Sequence, residues 1–64
     1  MNQSEEEQFI PGSLIFVEGW KKRNLYVILA KWRINSHEHM YRILYQDGRV
    51  FEVRYDPEHW SKVV

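Results

Sequence analysis

The chain has 64 residues, nine Lys and Arg against nine Asp and Glu, a net charge of zero, and no cysteine. That length gives one domain near the lower limit for a fold without staples, one that buries only ~60% of the surface its unfolded chain exposes. The lack of cysteine excludes a disulfide framework and a thiolate metal site, and the balanced charge excludes phosphate binding driven by an overall basic excess.

Three Trp, four Tyr and three Phe compensate for the small size, because each ring buries ~150–250 Å². The longest apolar run, residues 25–30, is strand-sized and far short of a membrane span. The opening MNQSEEEQF has no basic n-region and no apolar h-region. No signal peptide is expected, and the default location is the cytoplasm of the producing cell or of a host.

Residues 1–8 are polar and acidic and read as a disordered, frayed tail, with a short helix capped by Ser4 as the alternative. The domain proper is expected over 9–64. Phe9 and Ile10 pin the tail, and Pro11-Gly12 turns the chain into strand one at 14–18. A basic loop follows, GWKKRN. Strand two is expected at 24–34, rich in Leu, Tyr, Val, Ile and Trp with no Gly or Pro. Its even positions, Tyr26, Ile28, Ala30, Trp32 and Ile34, are all apolar, which predicts that they face inward throughout. The odd positions change from Leu25, Val27 and Leu29 to Lys31 and Arg33, so only the first half is covered on both sides. Residues 35–39 form a polar connection. Strands three and four, 40–45 and 49–55, flank Asp47-Gly48. Asp56 then caps one helical turn with Pro57 in its first position, Trp60 drops from that turn onto the core, and 62–64 close the sheet.

Register in the Asp-Gly hairpin follows from charge. A two-residue loop would pair Ile43 with Glu52 and Arg42 with Val53, mixing charge and hydrocarbon on both faces. A three-residue loop with Gly48 left-handed pairs Ile43 with Phe51, Tyr41 with Val53 and Arg42 with Glu52, and separates the two. The inward face is then Tyr41, Ile43, Tyr45, Phe51, Val53 and Tyr55. Leu44 and Val50 point outward together.

The stretches PGSLIFVEG, YVILAKW, YRILYQDGRVFEV and DPEHWSKVV resemble the small SH3-like barrels found as short phage and bacterial proteins, whose architecture Tudor and KOW domains share. The resemblance spans roughly residues 10–64. It implies an all-β, five-stranded SH3-like barrel with one short 3-10 turn before the last strand. Ser13 departs from the usual Asp, Tyr45 stands where Trp is frequent, and Trp60 replaces the usual Leu. The resemblance also implies a phage or bacterial accessory protein that acts on a host factor. It transfers no site, because this architecture hosts protein, peptide and nucleic-acid binders alike.

Several constellations compete for a function. Residues 19–34 carry Lys21, Lys22, Arg23, Lys31 and Arg33, no acid, and both Trp20 and Trp32. An exposed Trp stacks a base while cations meet phosphates, which would make the barrel a weak, salt-sensitive nucleic-acid binder. The bland reading is a solvated loop whose Trp20 folds back as a lid. His37, Glu38 and His39, with His59 further on, resemble a zinc set, but adjacent residues of an extended segment do not converge on one ion. The serines have no glycine elbow around them, Glu52 and Asp56 are engaged by Arg42 and the turn, and no enzyme, metal or cofactor is expected. Tyr26, Tyr45, Phe51 and Trp60 are enough for a Tudor-type cage but are also what so small a core needs. Leu25, Val27, Leu44 and Val50 lie on the outer face, where clustered hydrocarbon marks an interface for a partner protein or a homodimer. The expectation is therefore a non-catalytic module that binds a protein through this apolar face with a basic rim, and has no membrane partner. The runner-up is a nucleic-acid binder using Trp20, Lys21, Lys22, Arg23, Lys31 and Arg33.

Overall fold

The structure is a computed structural model, and it describes residues 5–63. Five antiparallel strands form one sheet: β1, Leu14–Glu18; β2, Arg23–Arg33; β3, His39–Tyr45; β4, Val50–Arg54; and β5, Trp60–Lys62. The order across the sheet is β4-β3-β2-β1-β5, so β4 and β5 are its two edges. Among the described residues no helix is long and apolar enough to cross a membrane.

Each connection follows from local chemistry. Pro11 and Gly12 occupy the centre of a turn closed by Ser13 N–H donating to the Ile10 carbonyl at 3.0 Å, and Gly12 takes a φ of +93°, the left-handed position that a Pro-Gly turn demands. The Gly19–Lys22 loop joins β1 to β2, with Lys21 at a φ of +76°. Between β3 and β4 the three-residue loop is the one expected from charge. Tyr45 N–H donates to the Arg49 carbonyl at 2.8 Å, Gly48 N–H to the Tyr45 carbonyl at 2.9 Å, and Gly48 has a φ of +96°. Ile43 faces Phe51, Tyr41 faces Val53 and Arg42 faces Glu52. The Arg49 backbone N–H, bonded to Asp47 at the tip, holds the Asp47 carboxyl below the usual carboxylate range.

Strand two corrects the expectation of a single inward face. Its register with β3 runs Tyr26↔Tyr45, Val27↔Leu44 and Ile28↔Ile43, then jumps to Ala30↔Arg42 and Lys31↔Tyr41. Leu29 is the extra residue of a β-bulge, and a one-residue insertion exchanges the faces of everything beyond it. Ala30, Trp32 and Ile34 therefore turn outward, and Lys31 turns inward. Trp32 lies half-buried beneath the Arg42 guanidinium, 5.4 Å from its ring centroid.

The core is Phe9, Ile15, Ile28, Tyr41, Ile43 and Trp60, with Val17, Tyr26, Val53 and Tyr55 packed around it. Tyr41 on β3 and Trp60 on β5 are three strand spacings apart in the sheet order, roughly 14 Å if the sheet were flat. Their ring centroids are 5.0 Å apart, so the sheet curls around these rings. Phe51, expected inward, is on the inner face but 36% exposed, because β4 is an edge strand with no second neighbour among the described residues.

Both ends of the chain also differ from expectation. Glu5–Gln8, placed in the frayed tail, forms a 3-10 helix. It docks because Glu6 carries three contacts: Tyr41 Oη donates to Glu6 Oε2 at 3.1 Å, Lys31 Nζ donates to the Glu6 carbonyl at 3.2 Å, and His39 Nδ1 lies 3.5 Å from Glu6 Oε2. Residues 1–4 lie outside the described residues. The turn before the last strand is present, closed by Trp60 N–H donating to the Asp56 carbonyl at 2.9 Å and capped by Asp56 Oδ1 accepting from Glu58 N–H at 3.1 Å. The 3-10 helix thus stands at the opposite end of the chain from the position expected for it. Trp60 belongs to β5, which spans Trp60–Lys62 instead of 62–64; Val64 lies outside the described residues.

Candidate interaction surface

The antiparallel register fixes which side chains share the outer face. Leu14 pairs with Val27 and Phe16 with Leu25 across β1 and β2, Val27 pairs with Leu44 across β2 and β3, and Leu44 pairs with Val50 across β3 and β4. Leu25, Val27, Leu44 and Val50 therefore form one strip, and Leu14 and Phe16 extend it onto β1. At the two margins Leu14 is 45% and Val50 49% exposed. Leu14, Leu25, Val27 and Leu44 line an open concavity of about 230 Å³ that reaches the hairpin at Gln46 and Gly48. Leu14 and Phe16 gave no clear signal in the sequence, because strand one is apolar at four consecutive positions and either face could have been the inner one.

Charge borders this strip. Arg23 sets its guanidinium over the Phe16 ring, 4.7 Å from the centroid, so a cation caps one end of the hydrocarbon. Beyond Leu44 and Val50, Arg42 donates to Glu52 Oε2 from Nε at 3.0 Å and from Nη2 at 2.8 Å. Neither partner is desolvated, so this pair organises the surface more than it stabilises the fold.

The basic residues do not assemble into one patch. Trp20, Lys21 and Lys22 sit at the β1–β2 loop, and Trp20 is 86% exposed instead of folding back as a lid. Lys31 is eight residues along β2 from Arg23, ~26 Å away at 3.3 Å per residue. The bulge turns it under the chain, where its ammonium stands 5.4 Å from the Tyr41 ring centroid and bonds Glu6. Arg33 is exposed at the far end of the strand.

Aromatic rings gather in two groups. Trp60 meets Phe9, Tyr41 and Tyr55 edge-on in the core, with centroids 5.6, 5.0 and 5.5 Å away. Tyr26, Tyr45 and Phe51 cluster at the hairpin end, with Tyr26 centroids 5.1 Å from Tyr45 and 6.2 Å from Phe51. The chain's own Arg49 stands 5.6 Å from both the Tyr45 and Phe51 rings, in the place a ligand cation would take in a cage. Burial, and then the neighbouring Tyr45, raises the Tyr26 phenol above its ordinary value.

Among the described residues the potential metal-binding group is Asp56, Glu58 and His59, whose ligand atoms lie within 4.8 Å of one another; His37, Glu38 and His39 do not form one. Its geometry is that of the capped turn: His59 Nδ1 is 2.7 Å from Asp56 Oδ2. Against family models, curated proteins and solved structures, the chain finds no match.

Proposed function

We propose that this chain is a non-catalytic interaction module that binds a partner protein through the outer face of its sheet. The observation that carries the reading is the continuous strip formed by Leu14, Phe16, Leu25, Val27, Leu44 and Val50, exposed at both margins. Contiguous hydrocarbon on a chain this small costs solubility, and an interface is its usual use. With the Arg23 guanidinium at one border and the Arg42–Glu52 ion pair at the other, the strip fits a partner that presents apolar side chains with an acid placed to meet Arg23. The curled five-stranded sheet around one ring cluster supports the SH3-like barrel architecture, and the resemblance supports a phage or bacterial accessory role in the cytoplasm of the producing or host cell.

The test is capture from bacterial lysate with the wild type, Leu44→Glu, Val27→Glu and, as a control away from the strip, Glu58→Lys. A partner retained by the wild type and the control but lost by both strip variants supports the reading. A partner retained by the folded Leu44→Glu and Val27→Glu variants refutes it.

A second reading rests on Trp20, whose exposure beside Lys21 and Lys22 suits stacking on a single-stranded base. Titrating labelled single-stranded DNA or RNA at low salt, with Trp fluorescence as the readout, decides it: no change in emission removes it.

A further inference from the structure

The edge of the sheet carries information that the apolar face does not. Because Tyr45 and Arg49 form a hydrogen-bonded pair, the alternation of an antiparallel ladder makes Ile43↔Phe51 and Tyr41↔Val53 hydrogen-bonded as well. The N–H and C=O groups of Val50, Glu52 and Arg54 then point away from β3. Among the described residues no strand lies beyond them, since β4 ends the sheet order. An open edge of this kind is a template for another strand unless side chains forbid it.

The side chains of β4 select one occupant. We propose that β4 pairs antiparallel with β4 of a second copy of this chain, about a two-fold axis at Val53. In that register the outward-pointing residues meet as Glu52 with Arg54 of the other copy and Arg54 with Glu52, two ion pairs on the outer face. On the inner face Val53 meets Val53 at the axis, and Phe51, 36% exposed, meets Tyr55 of the other copy. Neighbouring registers are penalised. Sliding two residues one way sets Glu52 against Glu52; sliding two the other way sets Arg54 against Arg54 and Glu52 against Asp56. Like charges directly opposite are destabilising, so charge alone chooses the register.

Existing contacts extend the arrangement. Glu52 is already bound by Arg42, and Arg54 Nη1 lies 3.7 Å from Glu38 Oε2. Pairing the edges would join these into a row of alternating charge running through both copies: Arg42, Glu52, Arg54, Glu38. At the other edge, β5 has only three residues and offers a much shorter template. The paired strand is short, so association is weak and concentration-dependent. It shares only Val50 with the strip and rests on the β4 backbone with the Glu52 and Arg54 side chains, so its failure would leave the proposed function standing.

Sedimentation velocity on the full chain, from tens of micromolar into the millimolar range, tests the pairing together with Glu52→Arg and Arg54→Glu. The wild type is expected to dimerise. Each variant alone sets two like-charged pairs at the interface and should associate at least about tenfold more weakly. Mixing the two variants restores both ion pairs, so the equimolar mixture should form the heterodimer. Leu44→Glu should dimerise like the wild type. Amide exchange on the wild type supplies a reading independent of any variant: Glu52 and Arg54 N–H should become protected at high concentration. A wild type that stays monomeric throughout overturns the proposal. So does a dimer whose association the single reversals leave unchanged, or one that forms without protecting those two amides.

Discussion

Replacing Trp60 tests how the sheet is held in its curl. Its side chain is 8% exposed and meets Phe9, Tyr41 and Tyr55 at interplanar angles of 81°, 71° and 84°. It therefore bridges the N-terminal segment, β3 and the turn before β5. Truncation to Ala should cost about 3–5 kcal/mol, the usual range for a buried Trp. Leu returns part of the apolar volume but none of the edge-on ring contacts, each worth about 0.5–1.5 kcal/mol beyond burial, so Trp60→Leu should cost about 2–3 kcal/mol. A chain of this length has only about 3–10 kcal/mol of total stability at the usual figure per residue. The Leu variant should thus fold with a midpoint lowered by roughly 10–20 °C, and the Ala variant should be marginal or unfolded. Thermal and urea denaturation followed by far-UV circular dichroism measure the midpoint and the free energy of both, and Trp20 and Trp32 remain as fluorescent reporters. A Leu variant within about 0.5 kcal/mol of the wild type, with an unchanged denaturant slope, would show that the rings do not hold β5 over β3.

Three further outcomes are expected. Burial, and then the hydrogen bond to Glu6, raises the Tyr41 phenol well above its ordinary value; a raised folded pKa means that stability is complete below about pH 10 and is lost as the pH rises past it. Urea melts should show a decline of up to about 1.4 kcal/mol per pH unit per phenol above that point, shallower in Tyr41→Phe, and equal slopes in the two proteins would exclude Tyr41 as the cause. Gly48→Ala has nothing within 4 Å of the added Cβ, so its cost is conformational alone; thermal unfolding should register about 1–2 kcal/mol, and no loss would mean that the hairpin does not need a left-handed residue there. A double-mutant cycle on Arg42 and Glu52 should give a coupling of about 0.2–1 kcal/mol that shrinks with added salt, and a salt-independent coupling would contradict the exposed geometry of the pair.

How much of this was legible in the sequence depended on whether a charge marked the choice. The β3–β4 register was readable because only one loop length puts Arg42 opposite Glu52 and keeps Tyr41, Ile43 and Val53 together. The outward side of Leu44 and Val50 followed from it, and that of Leu25 and Val27 from the alternation of strand two ahead of the bulge. The bulge was not readable: Ile28, Ala30, Trp32 and Ile34 are apolar on both sides of Leu29, so the period of two continues unbroken while the backbone inserts a residue, and no glycine marks the place. Lys31 was accordingly assigned to the surface. Glu6 was missed for another reason. Its partner Tyr41 is 35 residues away, and a run of glutamates carries no sign of which one will meet a phenol. Phe51 had the right face but the wrong burial, because alternation says nothing about which strand ends the sheet.

Leu29 makes this strand tolerant of one particular shortening. It is the residue that β3 leaves unpaired, so deleting it would bring Ile28 and Ala30 into regular alternation and keep Lys31 inward and Trp32 outward. One residue added while the bulge is kept would instead exchange the sides of everything beyond it and pull the Lys31 ammonium away from Glu6. Loss of a single residue at this point is therefore the length change the strand absorbs, and a single gain is the one it resists.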